Sequence, residues 1–143
     1  MPEGCYLDSS FLLKAYVQET NSADVVRYLQ YETGPLLISL LTDVEVVSSH
    51  FRKLQPAEAR MLLAAYRSNR ASGAFQVVPL TDGVYGLAQS LAERYSGKIL
   101  LRSLDLLHLA TALEHGAASL ATYDEKLRSA SEASGLAVVG ARP

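Results

Sequence analysis

The sequence predicts an α/β fold in which a central, mainly parallel sheet of about five strands is flanked by helices on both faces. Short apolar runs alternate along the chain with longer segments of helical periodicity, which is typical of parallel strands joined by helices. The chain has 143 residues, 49% of them hydrophobic, which suits one ordinary domain with its own core. We see no internal repeat, low-complexity segment or linker, so a single three-layer domain over residues 1–143 is expected.

The predicted strands are short apolar runs bounded by Gly, Pro or polar residues. In chain order they are Cys5 to Leu7, Leu36 to Ser39, Gln76 to Pro79, Ser119 to Thr122 and Ala137 to Val139. The Gly34-Pro35 pair separates the second strand from the helix before it, and Gly116 ends the helix before the fourth. Each strand is therefore followed or preceded by a clear break in periodicity.

The predicted helices carry apolar residues three or four positions apart and begin at capping residues. They run from the Ser9-Ser10 cap to about Tyr16, from Asn21 or Ser22 to Tyr31, from Thr42 to Leu54, from Pro56 to Arg70, from Asp82 to Tyr95, from Leu104 to His115 and from Glu125 to Ser134. Proline is favoured at the first helical position, which is the reason for beginning the fourth helix at Pro56.

The most informative stretch runs from Leu101 to Leu127. Its helix, Leu104 to His115, is apolar on most faces and should be buried nearly all round, yet it carries Asp105 in its first turn. The strand that follows ends just before Asp124. Because the functional crevice of an open parallel sheet lies beyond the carboxyl ends of its strands, the two acids are expected to converge there.

Composition narrows the functional classes. No window reaches the roughly 18 uninterrupted apolar residues of a membrane helix, and no basic region followed by an apolar segment opens the chain, so we expect a cytoplasmic protein without membrane association. The single Cys5 excludes an intramolecular disulfide and a cysteine-based zinc cluster.

The net charge of −2 would ordinarily argue against a nucleic-acid partner. If four of the 15 acids form a metal site, however, the remaining acids are outnumbered by the 13 Lys and Arg residues, and a nucleic-acid partner is compatible with the charge.

Four acids recur at strand ends or helix starts on the predicted edge of the sheet: Asp8, Glu45, Asp105 and Asp124. Four carboxylates without a balancing cluster of Lys or Arg repel one another, and a divalent cation removes that repulsion. Oxygen ligands favour Mg²⁺ or Mn²⁺, whereas zinc prefers imidazole and thiolate. Such a site suits phosphodiester cleavage by a metal-activated water. One alternative remains for Glu45. If Thr42 is the helix N-cap, Glu45 is at the third helical position and its side chain would only complete a capping box rather than bind a metal.

These acids lie in four stretches: YLDSSFLLKAY at 6–16, ISLLTDVEV at 38–46, LRSLDLLHLATAL at 101–113 and ATYDEKL at 121–127. In this order and at this spacing the chain resembles the PIN domain family, and within it the VapC-type toxin ribonucleases of bacterial and archaeal toxin–antitoxin pairs. The resemblance covers essentially the whole chain. It implies a PIN-like fold in which Asp8, Glu45, Asp105 and Asp124 are the four acidic metal-site positions.

The resemblance also implies an activity and partners. The family depends on Mg²⁺ or Mn²⁺, cleaves single-stranded regions of RNA, commonly forms homodimers and is silenced by a small antitoxin protein. Ser9 matches a hydroxyl that accompanies the first acid, and Thr122 matches one near the fourth, so both are expected to support the site from behind the ligands.

The densest basic region lies on the two middle helices. It comprises Arg52, Lys53, Arg60, Arg67 and Arg70. Two interpretations remain open, a solvated helix surface and a contact for RNA or a protein partner. His108, one turn after Asp105, could assist the site but is interpreted as a structural imidazole that fills a polar gap.

Alternatives without nuclease activity use a similar sheet. A phospho-acceptor signalling domain needs an acceptor Asp ending its third strand and a Lys after its last strand, but Pro79 ends the third strand here and no Lys follows Val139. A phosphatase with a nucleophilic aspartate needs an acid where Ser10 stands. A PIN-like domain kept only for binding would be expected to have lost at least one of the four acids. The metal-dependent ribonuclease is therefore the main prediction.

Overall fold

The protein is described here by a computed structural model covering residues 3–140, within which a five-stranded sheet forms. Its strands are β1 (Cys5–Leu7), β2 (Leu36–Ile38), β3 (Gln76–Val77), β4 (Ser119–Ala121) and β5 (Ala137–Val139). They pair in the order β3-β2-β1-β4-β5, and every pair is parallel. The predicted parallel sheet is confirmed, with β1 at its centre. The ends of the predicted domain, residues 1–2 and 141–143, lie outside the described residues.

Seven α-helices connect the strands in the described part of the chain. They are α1 (Ser9–Leu12), which a 3₁₀ turn extends over Leu13–Ala15, α2 (Ser22–Tyr31), α3 (Leu40–Lys53), α4 (Pro56–Ala71), α5 (Asp82–Ile99), α6 (Ser103–Glu114) and α7 (Glu125–Ala133). Helix α5 continues past its predicted end at Tyr95, because the backbone first leaves the helical conformation at Leu100 (φ 62°). None of the helices in residues 3–140 has the length and apolar character needed to cross a bilayer.

Two hydrophobic cores lie on opposite faces of the sheet. Successive residues of a strand point to opposite faces, so Tyr6 and Leu120 belong to one core and Leu7 and Ala121 to the other. The first core is completed by residues of α5, α6 and α7, and the second by residues of α1, α2, α3 and α4. The fold therefore has the three layers that the sequence predicted.

Helix α3 begins earlier than the sequence suggested, and this changes the role of Glu45. Ser39 is the N-cap, Thr42 Oγ1 accepts a hydrogen bond from the Ser39 backbone N–H (3.2 Å), and the Thr42 N–H donates to the Ser39 carbonyl (3.0 Å). Thr42 is thus the third residue of the helix rather than its cap. The capping-box interpretation of Glu45 is wrong, because Glu45 lies a turn further along and its carboxylate bonds elsewhere.

Candidate active site

The four predicted acids come from four different elements near the carboxyl ends of the parallel strands. Asp8 directly follows β1, and Asp124 follows β4 and is the N-cap of α7. Glu45 lies on α3, the helix after β2, and Asp105 is the third residue of α6. Since the carboxyl ends of parallel strands lie at one edge of the sheet, the chain topology brings side chains that are distant in sequence to the same edge.

Asp8 is buried, and two hydroxyl groups fix its carboxylate. Oδ2 accepts hydrogen bonds from Ser10 Oγ (2.6 Å) and Thr122 Oγ1 (2.8 Å). Backbone N–H groups of residues 123 and 124 donate to those same two hydroxyl oxygens, which leaves the hydroxyl protons for Asp8. The sequence assigned the first of these hydroxyls to Ser9, but the structure gives it to Ser10. The helix begins directly after Asp8, so the residue two positions on turns back toward the carboxylate.

Glu45 is held through a chain of buried polar groups. Its Oε1 bonds to Nε2 of His108, which has no exposed surface. The other ring nitrogen, Nδ1, lies 2.7 Å from the Tyr6 hydroxyl, which also lies 2.9 Å from Ser39 Oγ. His108 does fill a buried polar gap, as interpreted from the sequence, but it also contacts a predicted site residue directly.

Asp105 and Asp124 each use one oxygen to satisfy the start of their own helix. Asp105 Oδ2 accepts from the backbone N–H of Arg102 (3.3 Å), and Asp124 Oδ1 accepts from the backbone N–H of Leu127 (2.9 Å). These bonds are ordinary capping interactions. They also fix the two carboxylates at the helix N-termini, where the helix dipole favours negative charge.

Two overlapping groupings bring the acids together. One ligand atom each from Asp8, Glu45 and His108 lie within 4.8 Å of one another, a separation that one metal ion can bridge. Glu45 also lines a crevice of about 740 Å³ together with Asp105 and Asp124. The remaining residues of its lining are Arg102, Ser103, Leu104, Glu125 and Lys126. Glu45 is thus common to both groupings.

The pKa shifts show the electrostatic cost of this arrangement. Burial and the negative charges of Asp124 and Asp8 raise the pKa of Asp105. Burial lowers the pKa of His108, but its hydrogen bond to Glu45 and the surrounding carboxylates outweigh this and leave the pKa raised. Burial also raises the pKa of Tyr6, so its hydroxyl keeps its proton. The raised pKa of Asp105 beside other acids, in a site with mainly oxygen donors, fits a hard divalent cation.

The basic residues predicted on the middle helices do not line this crevice. Among the described residues, its basic lining comes from Arg102 and Lys126 instead. Arg70 forms an ion pair with Asp43 (2.8 Å), and the Arg60 guanidinium lies over the Phe51 ring. Arg102 and Lys126 were missed because they belong to no dense basic stretch. They could have been found by their closeness in sequence to the predicted acids, because Arg102 precedes Asp105 by three residues and Lys126 follows Asp124 by two.

Comparison with known proteins identifies the family. The model of the PIN domain family matches residues 5–133, a span that contains all four acids. The chain belongs to the PIN domain family. Ribonuclease VapC46 of Mycobacterium tuberculosis H37Rv is 32% identical over 136 residues, which cover 94% of this chain and 95% of that protein. Ribonuclease VapC47 of M. tuberculosis CDC 1551 is 30% identical over 129 residues, which cover 87% of each chain.

Solved structures show the same fold at low identity. VapC20 of M. tuberculosis, described as a toxin that cleaves the sarcin-ricin loop, superposes with a TM-score of 0.75 at 17% identity and covers 98% of this PIN domain and 100% of its own chain. FitAcB of Neisseria gonorrhoeae has a TM-score of 0.71 at 19% identity, with 95% and 96% covered. The resemblance to VapC-type PIN domains is confirmed, and the phospho-acceptor alternative is wrong for this PIN domain.

Proposed function

We propose that this protein is a metal-dependent endoribonuclease that hydrolyses RNA phosphodiester bonds, and that it is the toxin of a VapBC-type toxin–antitoxin pair. The observation that carries the proposal is that Asp8 and Glu45 bring carboxylate oxygens within 4.8 Å of each other, beside a crevice that Glu45 shares with Asp105 and Asp124. The curated relatives named VapC ribonucleases support the same activity.

The four carboxylates would hold a Mg²⁺ ion, for which Mn²⁺ should substitute. We favour Mg²⁺ over zinc because oxygen atoms dominate the donor set. When bound, the cation neutralises the carboxylates and supplies Lewis-acid chemistry for water and phosphate. Ser10 and Thr122 orient Asp8 through their hydroxyl protons. Arg102 and Lys126, on the crevice rim, would offset its negative charge toward an approaching RNA phosphate.

The proposal includes an antitoxin partner and a homodimer. Apolar side chains on α3 and α4, including Val44 (67% exposed) and Met61 (66% exposed), offer surface for a protein partner. The likeness to VapBC2 of Rickettsia felis, solved with a DNA fragment of its promoter, supports a paired antitoxin. The basic residues of the middle helices, defined above, would contact that partner or RNA. We also propose a cytoplasmic location and a single domain over residues 1–143.

RNA cleavage by the purified protein tests the proposed activity. The wild type should cleave single-stranded RNA in Mg²⁺ or Mn²⁺ and lose activity in EDTA. Asp8→Asn and Glu45→Gln should reduce cleavage to background, because each removes one carboxylate charge from the site. Asp24→Asn, an exposed acid on α2, is the matched control and should cleave like the wild type. Cleavage that persists in EDTA or in Asp8→Asn would contradict the proposal.

A further inference from the structure

We propose that His108, anchored by Tyr6, is the positioning residue of Glu45 and thereby sets the affinity of the site for its cation. This inference rests on the proposed function, because a metal site is what the placement of Glu45 would serve. This role differs from that of a purely structural imidazole, because it affects metal binding, and from that of a direct ligand, because His108 does not contact the metal.

The hydrogen-bond chain joins three elements of the fold. Tyr6 lies on the central strand β1, Ser39 caps α3, and His108 lies on α6. The Tyr6 hydroxyl lies 2.9 Å from Ser39 Oγ and 2.7 Å from His108 Nδ1, and neither Tyr6, Ser39 nor His108 has exposed surface. Because buried polar groups of this kind have no access to water, their mutual bonds fix the orientation of the imidazole ring.

The direction of these bonds places a donor in front of Glu45. With Glu45 ionised, its Oε1 can only accept, so His108 Nε2 must carry a hydrogen. In the neutral imidazole Nδ1 is then an acceptor, and the Tyr6 hydroxyl donates to it while Ser39 donates to Tyr6. Whether the ring is neutral or protonated, Nε2 carries the hydrogen that holds Glu45, and in the neutral ring the hydrogen bond from Tyr6 selects that tautomer.

Glu45 needs such a partner more than the other acids do. Asp8 is fixed by two hydroxyls, and Asp105 and Asp124 are fixed by backbone N–H groups of their own helices. Glu45 has a longer side chain, is only half-buried and projects from the second turn of α3. Its bond to the ring of His108 crosses from α3 to α6 and limits the rotamers that the carboxylate can adopt.

Both ring nitrogens are occupied, which argues against a ligand role for His108. A cation bound at Nε2 would displace Glu45 from it, whereas hard cations prefer the carboxylate oxygens already present. Partners behind the ligands typically change metal affinity by about 10- to 100-fold when they are removed. We expect His108 to act with that magnitude and through Glu45.

Mn²⁺ affinity, measured by isothermal titration calorimetry on the full chain, tests this role. His108→Leu should weaken Mn²⁺ binding by about 10- to 100-fold. His108→Gln should restore most of the affinity, because the glutamine amide nitrogen can occupy the place of Nε2 as a donor to Glu45. His108→Asn is shorter, cannot reach Glu45 and should bind as weakly as His108→Leu. Tyr6→Phe removes the tautomer anchor and should weaken binding several-fold.

A double-mutant cycle with Glu45→Gln separates positioning from direct ligation. If His108 acts through Glu45, adding His108→Leu to Glu45→Gln should change Mn²⁺ affinity by no more than about twofold. An undiminished penalty in the Glu45→Gln background would show that His108 ligates the metal itself and would overturn the inference. Equal affinities of the Gln and Asn variants would overturn it too, since a donor at Nε2 would then be irrelevant.

The same titrations distinguish this inference from the proposed function. A wild type that binds no Mn²⁺ overturns both. Mn²⁺ binding that is strongly weakened by Asp8→Asn but unchanged by His108→Leu overturns only the positioning role. Melting temperatures in EDTA check that the variants are folded. If His108→Leu unfolds the protein, the single variants Tyr6→Phe, His108→Gln and His108→Asn still test the positioning role.

Discussion

The four carboxylates of the site are held by three kinds of bond, from hydroxyl groups, from an imidazole and from backbone N–H groups, so single substitutions should have separable effects. Asp8 depends on two hydroxyl donors, a near one from Ser10 and a distant one from Thr122, which follows β4 beside β1. Asp105 and Asp124 depend on their own helix starts. The hydroxyl support of Asp8 can be removed by substituting a distant residue such as Thr122. The backbone N–H groups that hold Asp105 and Asp124 remain whatever side chain is substituted.

Ser10→Ala should weaken Mn²⁺ binding by about tenfold and lower the free energy of unfolding by about 1 kcal/mol. The reason is that it removes both the 2.6 Å hydrogen bond to Asp8 and the hydrogen bond that Ser10 Oγ accepts from the backbone N–H of Tyr123. Ser9→Ala is the matched control and should leave Mn²⁺ affinity within about twofold of the wild type. Calorimetric titration and urea denaturation measure the two quantities. Equal effects of the two substitutions would contradict the assignment of the supporting hydroxyl to Ser10.

The stability of the metal-free protein should depend on pH through Asp105. Its pKa is raised in the folded state by burial and by the charge of Asp124, above an ordinary value of about 4. A carboxyl group with a raised pKa stabilises the fold while it is protonated, and this contribution is lost as pH rises through the folded-state pKa. In EDTA, the melting temperature of the wild type should therefore fall relative to Asp105→Asn as pH rises from about 4 toward neutral.

Mg²⁺ should reverse that order. At neutral pH the wild type gains stability from Mg²⁺, and Asp105→Asn should gain less because a proposed ligand has been removed. Thermal melts in EDTA and in Mg²⁺ measure both effects on the same samples. Equal Mg²⁺-dependent shifts in the two proteins would count against a metal role for Asp105.

At the scale of helices and strands, much of the architecture could be predicted because hydrophobic periodicity and the Gly and Pro residues between elements are local features of the sequence. The strands at Cys5–Leu7 and Ala137–Val139 have the predicted limits. Helix ends were less predictable: α3 begins at Leu40 because Ser39 has left the strand and caps the helix. That small displacement decided the role of Glu45, since it moved Thr42 from the cap into the helix.

Some residues of the site could likewise be found from local sequence signals, whereas contacts between residues far apart in sequence could not. Asp8 and Asp124 could be found from strand ends, which are visible in the sequence. The contact between Glu45 and His108 joins residues 63 positions apart, and no spacing rule reveals it. The choice between Ser9 and Ser10 is local, but it depends on the residue at which α1 begins, and the pair of serines left that start undetermined in the sequence.

Helices α3 and α4 are tied together by an ion pair rather than by apolar contact alone. Asp43 on α3 accepts hydrogen bonds from the Tyr66 hydroxyl (2.6 Å) and from Nε of Arg70 on α4 (2.8 Å). Arg70→Ala should lower the free energy of unfolding by about 1 kcal/mol, the upper part of the range for partly exposed pairs. Arg67→Ala, an exposed position on the same helix, should change it by less than about 0.5 kcal/mol.

Urea denaturation of the two variants and of Asp43→Ala measures this link. The double variant Asp43→Ala with Arg70→Ala should lose less stability than the sum of the single variants, because both remove the same interaction. Additive losses would show that the pair contributes nothing beyond its separate side chains, and Arg70 would then be available to a partner.

At the scale of the whole molecule, two basic surfaces could bring RNA to the acidic crevice. Arg102 and Lys126 lie on the crevice rim beside Asp105 and Asp124. The middle-helix residues Arg60 and Arg67 are exposed on α4, outside the crevice lining. Electrostatic attraction acts over roughly 10 Å at moderate salt, so the rim should affect every bound RNA, whereas the middle helices should affect only an RNA long enough to reach them.

RNA length should therefore separate the two surfaces in a salt series. In the cleavage-deficient Asp8→Asn protein, at a Mg²⁺ concentration high enough to fill its weakened site, Arg102→Ala with Lys126→Ala should weaken binding of an RNA of about four nucleotides as well as a longer one. Each lost phosphate contact should reduce the salt slope by about 0.7, because fewer counterions are released. Arg60→Glu with Arg67→Glu should reduce affinity and slope for the longer RNA only.

Fluorescence anisotropy of labelled RNAs measures the affinities, with Arg94→Ala on α5 as a control that should leave both slopes unchanged. Little change in folding is expected, since all four substituted positions are exposed. Identical slopes with and without the α4 reversals for the longer RNA would show that this basic stretch is a solvated helix face. Identical slopes for the rim variants would show that RNA reaches the carboxylates without Arg102 and Lys126, so that the attraction must come from the cation itself.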